Sequence, residues 1–136
     1  KEGKQHFENE MLKFYNSVEE CISCTKEKIS VVLFSSVLPY LETPYSILEE
    51  VFKYKIEFII VDRTGFTLND KERITVQKVP NFIYKASYPC RFFSWTRFVD
   101  FFENNGYKLI YDFDALDKVN IPSKYKGLVF RYKENA

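Results

Sequence analysis

Polar side chains follow two apolar segments of the chain, at the points where each segment ends. Ser35 and Ser36 come directly after the first segment. Asp62 and Arg63 come directly after the second. An aspartate here can accept a proton from a hydroxyl group, and an arginine can bind a phosphate or a carboxylate. A local ion pair or a loop hydrogen bond is the simpler alternative for Asp62 and Arg63, and a plain strand-to-turn transition is the alternative for the serines.

A second group of candidate binding residues lies in the aromatic segment 80–92. It contains Tyr84, Lys85, Tyr88 and Arg91. A sugar face can stack on aromatic rings, so we predict that these four side chains bind a substrate. The alternative is a packed loop whose tyrosines bury their rings and keep their hydroxyls in water.

The cysteines predict neither a metal site nor a disulfide framework. Their number is odd and their spacing irregular. Cys21 and Cys24 form a C-x-x-C, but they lie late in a predicted helix, whereas a redox pair normally opens one. A zinc site needs two further ligands, and only Cys90 and His6 remain to supply them.

The elements that must position these residues follow from hydrophobic patterns. Segments 30–34 and 57–61 are almost continuously apolar, which is typical of parallel strands buried on both faces. Between them, Thr43 and Pro44 begin a helix. The remaining predictions for the first part of the chain are a strand at 12–15, a helix capped by Ser17, and a loop at 65–70. They continue with a short strand or extended arm at 73–79, irregular structure at 80–92, a helix from Ser94 to Gly106, and antiparallel strands at 107–113 and 125–132.

Together these elements predict one α/β domain over residues 1–136, a partial Rossmann-like three-layer sandwich. Its mixed sheet would have parallel central strands and a C-terminal antiparallel hairpin. In such sheets the carboxyl ends of parallel strands carry the ligand. Ser35 and Asp62 should therefore emerge together at one edge.

Composition limits the classes of partner. The chain is 46% hydrophobic and 18% aromatic, which is enough for a packed core. Its net charge of +1 gives no reason to expect nucleic acid or an anionic membrane. No apolar run approaches the roughly 20 residues of a membrane span. We expect a cytoplasmic protein.

The order of elements resembles the second half of a class I S-adenosylmethionine-dependent methyltransferase. The string Phe34-Ser-Ser-Val-Leu-Pro-Tyr-Leu41 is similar to the segment after the fourth strand of that fold, and 58–64 is similar to the fifth strand and its tip. Two further strings, 76–80 and 83–90, resemble a bacterial methyltransferase family found with surface-polysaccharide genes.

The resemblance implies a function for the edge. Ser35, Ser36 and Val37 would lie beside the methionine end of S-adenosylmethionine. Asp62 and Arg63 would act in catalysis, and the substrate would be a small molecule, a glycan or a glycan precursor that becomes O-methylated.

One feature of that family is missing from the sequence. Its cofactor signature is a glycine-rich turn after the first strand, and none of the four glycines here forms a G-x-G. By register, segment 12–15 would already be the third strand. We therefore expect a C-terminal portion of a methyltransferase, without the N-terminal cofactor-binding strands and unable to bind the cofactor normally by itself.

Two alternatives remain open at this point. The chain could be a non-catalytic binding or structural module that lacks the cofactor half, or another Rossmann-like carbohydrate enzyme. In each case the outer edge of strand 30–34 would be unpaired, and unpaired edges are usually covered. We expect segment 12–15 or a second copy of the chain, as a homodimer, to cover it.

Overall fold

The computed structural model describes residues 1–134, which form an α/β fold around one four-stranded mixed sheet. In chain order the elements are α1 (Glu2–His6), α2 (Val18–Cys24), β1 (Val31–Ser35), a 3-10 helix (Leu38–Tyr40), α3 (Pro44–Phe52), β2 (Phe58–Thr67), β3 (Arg73–Lys78), β4 (Ser87–Phe92), α4 (Trp95–Asn104), β5 (Tyr107–Asp114) and β6 (Ser123–Tyr132).

The strand order in the main sheet is β1-β2-β6-β5. β1 and β2 are parallel, with Val31 opposite Phe58 and Ser35 opposite Asp62. β6 runs antiparallel to both β2 and β5. The predicted fold class, the parallel pair and the antiparallel C-terminal pair are thus confirmed.

Helices α3 and α4 cover one face of this sheet. Their apolar stripes meet the strand residues that alternate towards that face, including Ile59 of β2 and Phe130 of β6, both fully buried. The rings of Phe102 and Phe130 stack with their centroids 3.8 Å apart. Phe52 of α3 contacts Phe102 edge-on, so the two helices share one aromatic core.

The opposite face of the sheet is open at its edge strands. Val31 and Leu33 point away from the helices, and the Leu33 side chain is 60% exposed. β1 has a neighbour on one side only within the described residues. The prediction that segment 12–15 forms a strand is wrong. The Asn9 side chain accepts hydrogen bonds from the amides of Met11 and Leu12, so this segment begins in a local turn.

Two further corrections concern residues 65–92. β2 continues to Thr67, through the first part of the predicted loop, because Gly65 has no side chain where the ring of Phe92 lies against it. The segment predicted to be irregular contains β4, which pairs with β3 in a separate two-stranded sheet. We call residues 73–92 the arm. At its base, the amide of Thr67 donates to the carbonyl of Phe93 and the amide of Phe93 donates to the carbonyl of Gly65, which joins the arm to β2.

Serine side chains cap two of the helices. The Ser94 hydroxyl accepts from the amide of Arg97 at the start of α4, and the Ser17 hydroxyl accepts from the amide of Glu20 at the start of α2. Both caps were predicted. Thr43 precedes α3 as predicted, although its side chain makes no capping hydrogen bond. None of the helices described has the length and apolar character needed to cross a bilayer.

Candidate active site at the carboxyl edge of the sheet

The candidate site is built where β1 ends at Ser35 and where β2 bulges beside it at Asp62 and Arg63, and we call these two points the tips of β1 and β2. Ser35 and Asp62 are register partners, and the amide of Ser36 donates to the carbonyl of Asp62 at 3.0 Å. Because the strands are parallel and their pairing ends at Ser35 and Asp62, both tips lie at the carboxyl end of the parallel pair, although β2 itself continues to Thr67. The predicted meeting of Ser35 and Asp62 is therefore confirmed, although their functional roles remain predictions.

Both tips end in a residue with left-handed backbone geometry. Ser36 has φ of 55° and Arg63 has φ of 52°. Each such residue costs about 1–2 kcal/mol relative to right-handed geometry. A bulge between Val61 and Thr64 accompanies the turn at Arg63, and an Asp62 carboxylate oxygen accepts from the Arg63 amide at 2.8 Å. Strained backbone and bulges concentrate at functional sites, where they redirect side chains.

Arg63 is held by an acidic residue from a distant part of the chain. Its Nη2 lies 2.8 Å from Asp117 Oδ1, and its Nε lies 3.1 Å from Asp117 Oδ2. This two-point contact fixes the plane of the guanidinium group. Hydrogen bonding from Arg63 also holds the pKa of Asp117 below its ordinary value. A local ion pair was the simpler alternative to a binding role for Arg63. The sequence did not identify Asp117 as the partner, because the two residues are 54 positions apart in the chain.

These residues line a depression of about 460 Å³. Asp62, Arg63, Asp114 and Asp117 supply its charged groups, and Phe113, Ala115 and Leu116 supply the rest. A carboxylate beside an oriented guanidinium group can accept a proton from a hydroxyl while a neighbouring polar or anionic group is bound. This is the chemistry that the sequence predicted for Asp62 and Arg63.

Tyr40 links the edge to the arm. It ends the 3-10 helix after β1, and its hydroxyl lies 3.1 Å from Gln77 Oε1. Its ring packs edge-on against Tyr88, with centroids 5.5 Å apart. Burial raises the pKa of Tyr40 and that of the nearby Cys90 thiol. Tyr88 therefore lies against Tyr40, the residue that ends the 3-10 helix after β1, and the contacts of Tyr40 with Gln77 and Tyr88 were not predicted.

The other three predicted substrate-binding residues lie apart from the β1 and β2 tips. Tyr84 and Lys85 are in the exposed turn of the arm, and neither makes a side-chain hydrogen bond or ion pair with the tips in the structure as described. Arg91 Nη1 lies 3.6 Å from Glu72 Oε1. Arg97 contacts the same carboxylate, so Glu72 joins the arm to α4.

The glycines test whether the described residues fit an S-adenosylmethionine site. A glycine turn in such a site leaves open space into which the ligand approaches the backbone. Each of the four glycines instead faces an aromatic ring of this chain, which an added Cβ would meet at 2.1–3.1 Å. A complete cofactor cradle does not fit these residues. The cofactor-binding roles expected for Ser35, Ser36 and Val37 stay predictions.

No protein-family model matches the sequence, and no curated protein is significantly similar to it. A solved S-adenosylmethionine-dependent methyltransferase from Methanosarcina mazei has a similar fold, with a TM-score of 0.55 and 11% sequence identity. The match covers 77% of this chain and 59% of that one. The chain therefore shares the methyltransferase fold and spans about three fifths of that protein's length. The resemblance read from the sequence is confirmed at the level of the fold.

Proposed function

We propose that this chain forms the acceptor-binding side of an S-adenosylmethionine-dependent methyltransferase that modifies a hydroxyl of a glycan or glycan precursor. The observation that carries the proposal is the register of the parallel pair. It sets Ser35 beside Asp62 at the carboxyl edge, in a fold shared with a methyltransferase. Ligands of open α/β sheets bind at this edge.

Asp62 has the geometry of a proton acceptor. One of its carboxylate oxygens accepts from the Arg63 amide, and the other has no hydrogen-bond partner among residues 1–134. Arg63, oriented by Asp117, would bind a polar or anionic group of the acceptor next to the reacting hydroxyl. Tyr88 would offer an aromatic surface to a sugar ring. Binding roles for Tyr84, Lys85 and Arg91 remain predictions with less geometric support.

The proposal requires that residues beyond those described supply the glycine cradle for the cofactor. S-adenosylmethionine would provide the methyl group when bound, with Ser35, Ser36 and Val37 along one end of its site. Calorimetry can test this on two proteins, the present chain and the chain extended by the residues encoded upstream. We expect binding of S-adenosylmethionine by the extended protein only.

The role of Asp62 is tested in the extended protein by Asp62→Asn, with Asp100→Asn on the exposed surface of α4 as the matched control. Transfer of labelled methyl groups to a glycan fraction should fall about 10²- to 10⁴-fold for Asp62→Asn, the range for a general base. The control should retain full transfer. Equal transfer by both variants would remove Asp62 from the mechanism.

A non-catalytic binding module is the competing function, and the covered glycines favour it. It predicts that the extended protein also fails to bind S-adenosylmethionine. It also predicts that the chain still binds its glycan without any methyl donor. The same calorimetry therefore separates the two functions.

The open edge of β1 supports a homodimer as part of the proposal. Val31 and Leu33 present unpaired backbone groups and exposed apolar side chains there. We expect sedimentation to show a dimer that Leu33→Lys dissociates and Leu116→Lys, at another exposed position, does not. A wild-type monomer at high protein concentration would contradict it.

All three cysteines are free, which suits the reducing cytoplasm proposed for this protein.

A further inference from the structure

The arm carries a positive charge that is not apparent from the net charge of the whole chain. Residues 73–92 contain four basic side chains and no acidic one. The complete chain has 20 basic and 19 acidic residues, so the part outside the arm has an excess of three acidic residues. The arm is therefore a cationic projection on an otherwise acidic protein.

Three large apolar or aromatic side chains are exposed at the end of this projection. Phe82 is 88% exposed, Ile83 is 59% exposed and Tyr84 is 56% exposed. The turn that presents them is ordered by backbone hydrogen bonds from Ile83 to Pro80 and from Val79 to Ala86. We call Phe82, Ile83 and Tyr84 the tip.

Free positive charges flank the tip. Lys78 ends β3 and Lys85 follows the tip directly. Neither has a carboxylate oxygen within 4.0 Å in the part of the chain that the structure describes. Arg91 is different, because Glu72 already pairs with it near the base of the arm. Arg73 at the base also has no carboxylate oxygen within 4.0 Å among the described residues, so three of the arm's four basic side chains are uncompensated and two of them flank the tip.

The two faces of the arm differ. Gln77 and Tyr88 are partners on one face and contact Tyr40 of the body. Ile74 and Val76 lie on the other face, and both are exposed. The inner face holds the arm in place, so the outer face and the tip are displayed in a fixed orientation rather than on a free loop.

We propose that the arm docks the protein onto an anionic lipid surface. Phe82 and Ile83 would enter the boundary between headgroups and acyl chains, and the Tyr84 ring would lie at the headgroup level. Lys78 and Lys85 would neutralise lipid phosphates. This binding is peripheral and differs from a membrane span.

The shape of the tip favours a lipid surface over a second copy of the chain. A stable protein interface buries about 800 Å² on each partner against a complementary surface. The tip instead consists of three consecutive side chains on a convex turn, flanked by like charges. Such a turn can insert into a fluid interface but offers little surface for a rigid partner.

Docking would also place the candidate site near the lipid, since Gln77 and Tyr88 connect the arm to Tyr40 at the carboxyl edge. The inference does not depend on methyl transfer. It can hold or fail whether or not the proposed function is correct.

Co-sedimentation of this chain with vesicles tests the proposal. Neutral vesicles of phosphatidylcholine are compared with vesicles containing about 30% phosphatidylglycerol, at low salt and at high salt. We expect binding to the anionic vesicles only, weakened by high salt because screening shortens the range of the lysine charges. Equal binding to both vesicle types, or to neither, would overturn the proposal.

Variants locate the binding surface. The double variant Phe82→Ser, Ile83→Ser should lose at least tenfold in affinity, and Lys78→Glu, Lys85→Glu should lose about as much. Met11→Ser is the matched control, because Met11 is 98% exposed in the N-terminal segment. It should bind like the wild type. Circular dichroism checks that each variant is folded.

Two results with these variants would overturn the proposal. One is unchanged vesicle binding by both arm variants, or an equal loss for Met11→Ser. The other is a wild-type dimer that the Phe82→Ser, Ile83→Ser variant dissociates without any change in vesicle binding. That second result would assign the tip to a second copy of the chain.

Discussion

Replacing Ser94 by alanine tests how the start of α4 is stabilised. The Ser94 hydroxyl accepts from the amide of Arg97 at 3.1 Å and donates to Asp70 Oδ1 at 2.8 Å. Ser94→Ala removes both hydrogen bonds in a buried position. The matched control is Ser17→Ala, which removes the equivalent cap of α2, where the hydroxyl accepts from the amide of Glu20 at 3.0 Å.

The two caps should differ in energy because their helices differ in burial. A serine cap contributes about 0.5–2 kcal/mol. Helix α4 cannot fray at its start without disturbing Phe98, which is fully buried, so we expect Ser94→Ala to lower the free energy of unfolding by about 2 kcal/mol. Helix α2 has no buried residue, so Ser17→Ala should cost about 0.5 kcal/mol.

The same substitution should change the response to acid. Hydrogen bonds from Thr96, and then from Ser94, hold the pKa of Asp70 below its ordinary value of 3.8. The stability contributed by Asp70 is therefore present above pH 3.8 and is lost as the pH falls through the lower folded pKa. The difference between the wild type and Ser94→Ala should shrink over that interval.

Urea denaturation followed by circular dichroism measures all three proteins at neutral pH and at pH values below 4. Equal costs for Ser94→Ala and Ser17→Ala would refute the link between cap energy and helix burial. A difference between the wild type and Ser94→Ala that stays constant on acidification would refute the role of the Asp70 carboxylate.

Two other substitutions test the core and a helix end. Tyr107→Phe should lower the free energy of unfolding by about 1–3 kcal/mol, since the buried carbonyl of Ile56 loses its donor at 3.0 Å. Burial raises the pKa of Tyr107 from 10.0 to about 12. The wild type should therefore lose stability as the pH rises from about 10 to about 12. Urea titrations over this pH range should show a smaller loss of stability for Tyr107→Phe. Lys55→Gly should raise the free energy of unfolding by about 0.5–1 kcal/mol, because Lys55 has φ of 49° after α3. Lys53→Gly, at a right-handed position, should lower it in the same assay, and a gain there would contradict the argument.

The sequence predicted the parallel pair because both segments are continuously apolar, but the expected burial on both faces is wrong for β1, an edge strand whose Leu33 is exposed. It failed at β4 because Pro89 and several aromatic residues conceal a strand. Pro89 is tolerated since β4 belongs to a two-stranded sheet and has an outer edge without a partner in the described residues. It also failed at segment 12–15, where hydrogen bonds to the Asn9 side chain form a local turn instead. It failed at Gly65 too, where the missing side chain lets the Phe92 ring approach and β2 continue.

The candidate site was only partly predictable for a related reason. Ser35 and Asp62 follow the predicted apolar segments 30–34 and 57–61, so a local pattern placed them together. Asp117, 54 residues from Arg63, reaches the site through the chain connecting β5 and β6, which no local pattern specifies. The contact of Tyr40 with Gln77 likewise depends on how the arm folds back against the body.

Trp95 gives the protein an intrinsic optical probe at a useful position. It is the only tryptophan in the chain, and its ring packs edge-on against Phe66, with centroids 5.2 Å apart. Phe66 bridges to Phe93, where the arm joins β2. All indole emission therefore originates beside that junction. A red shift on adding vesicles or denaturant would report its loosening without an attached dye.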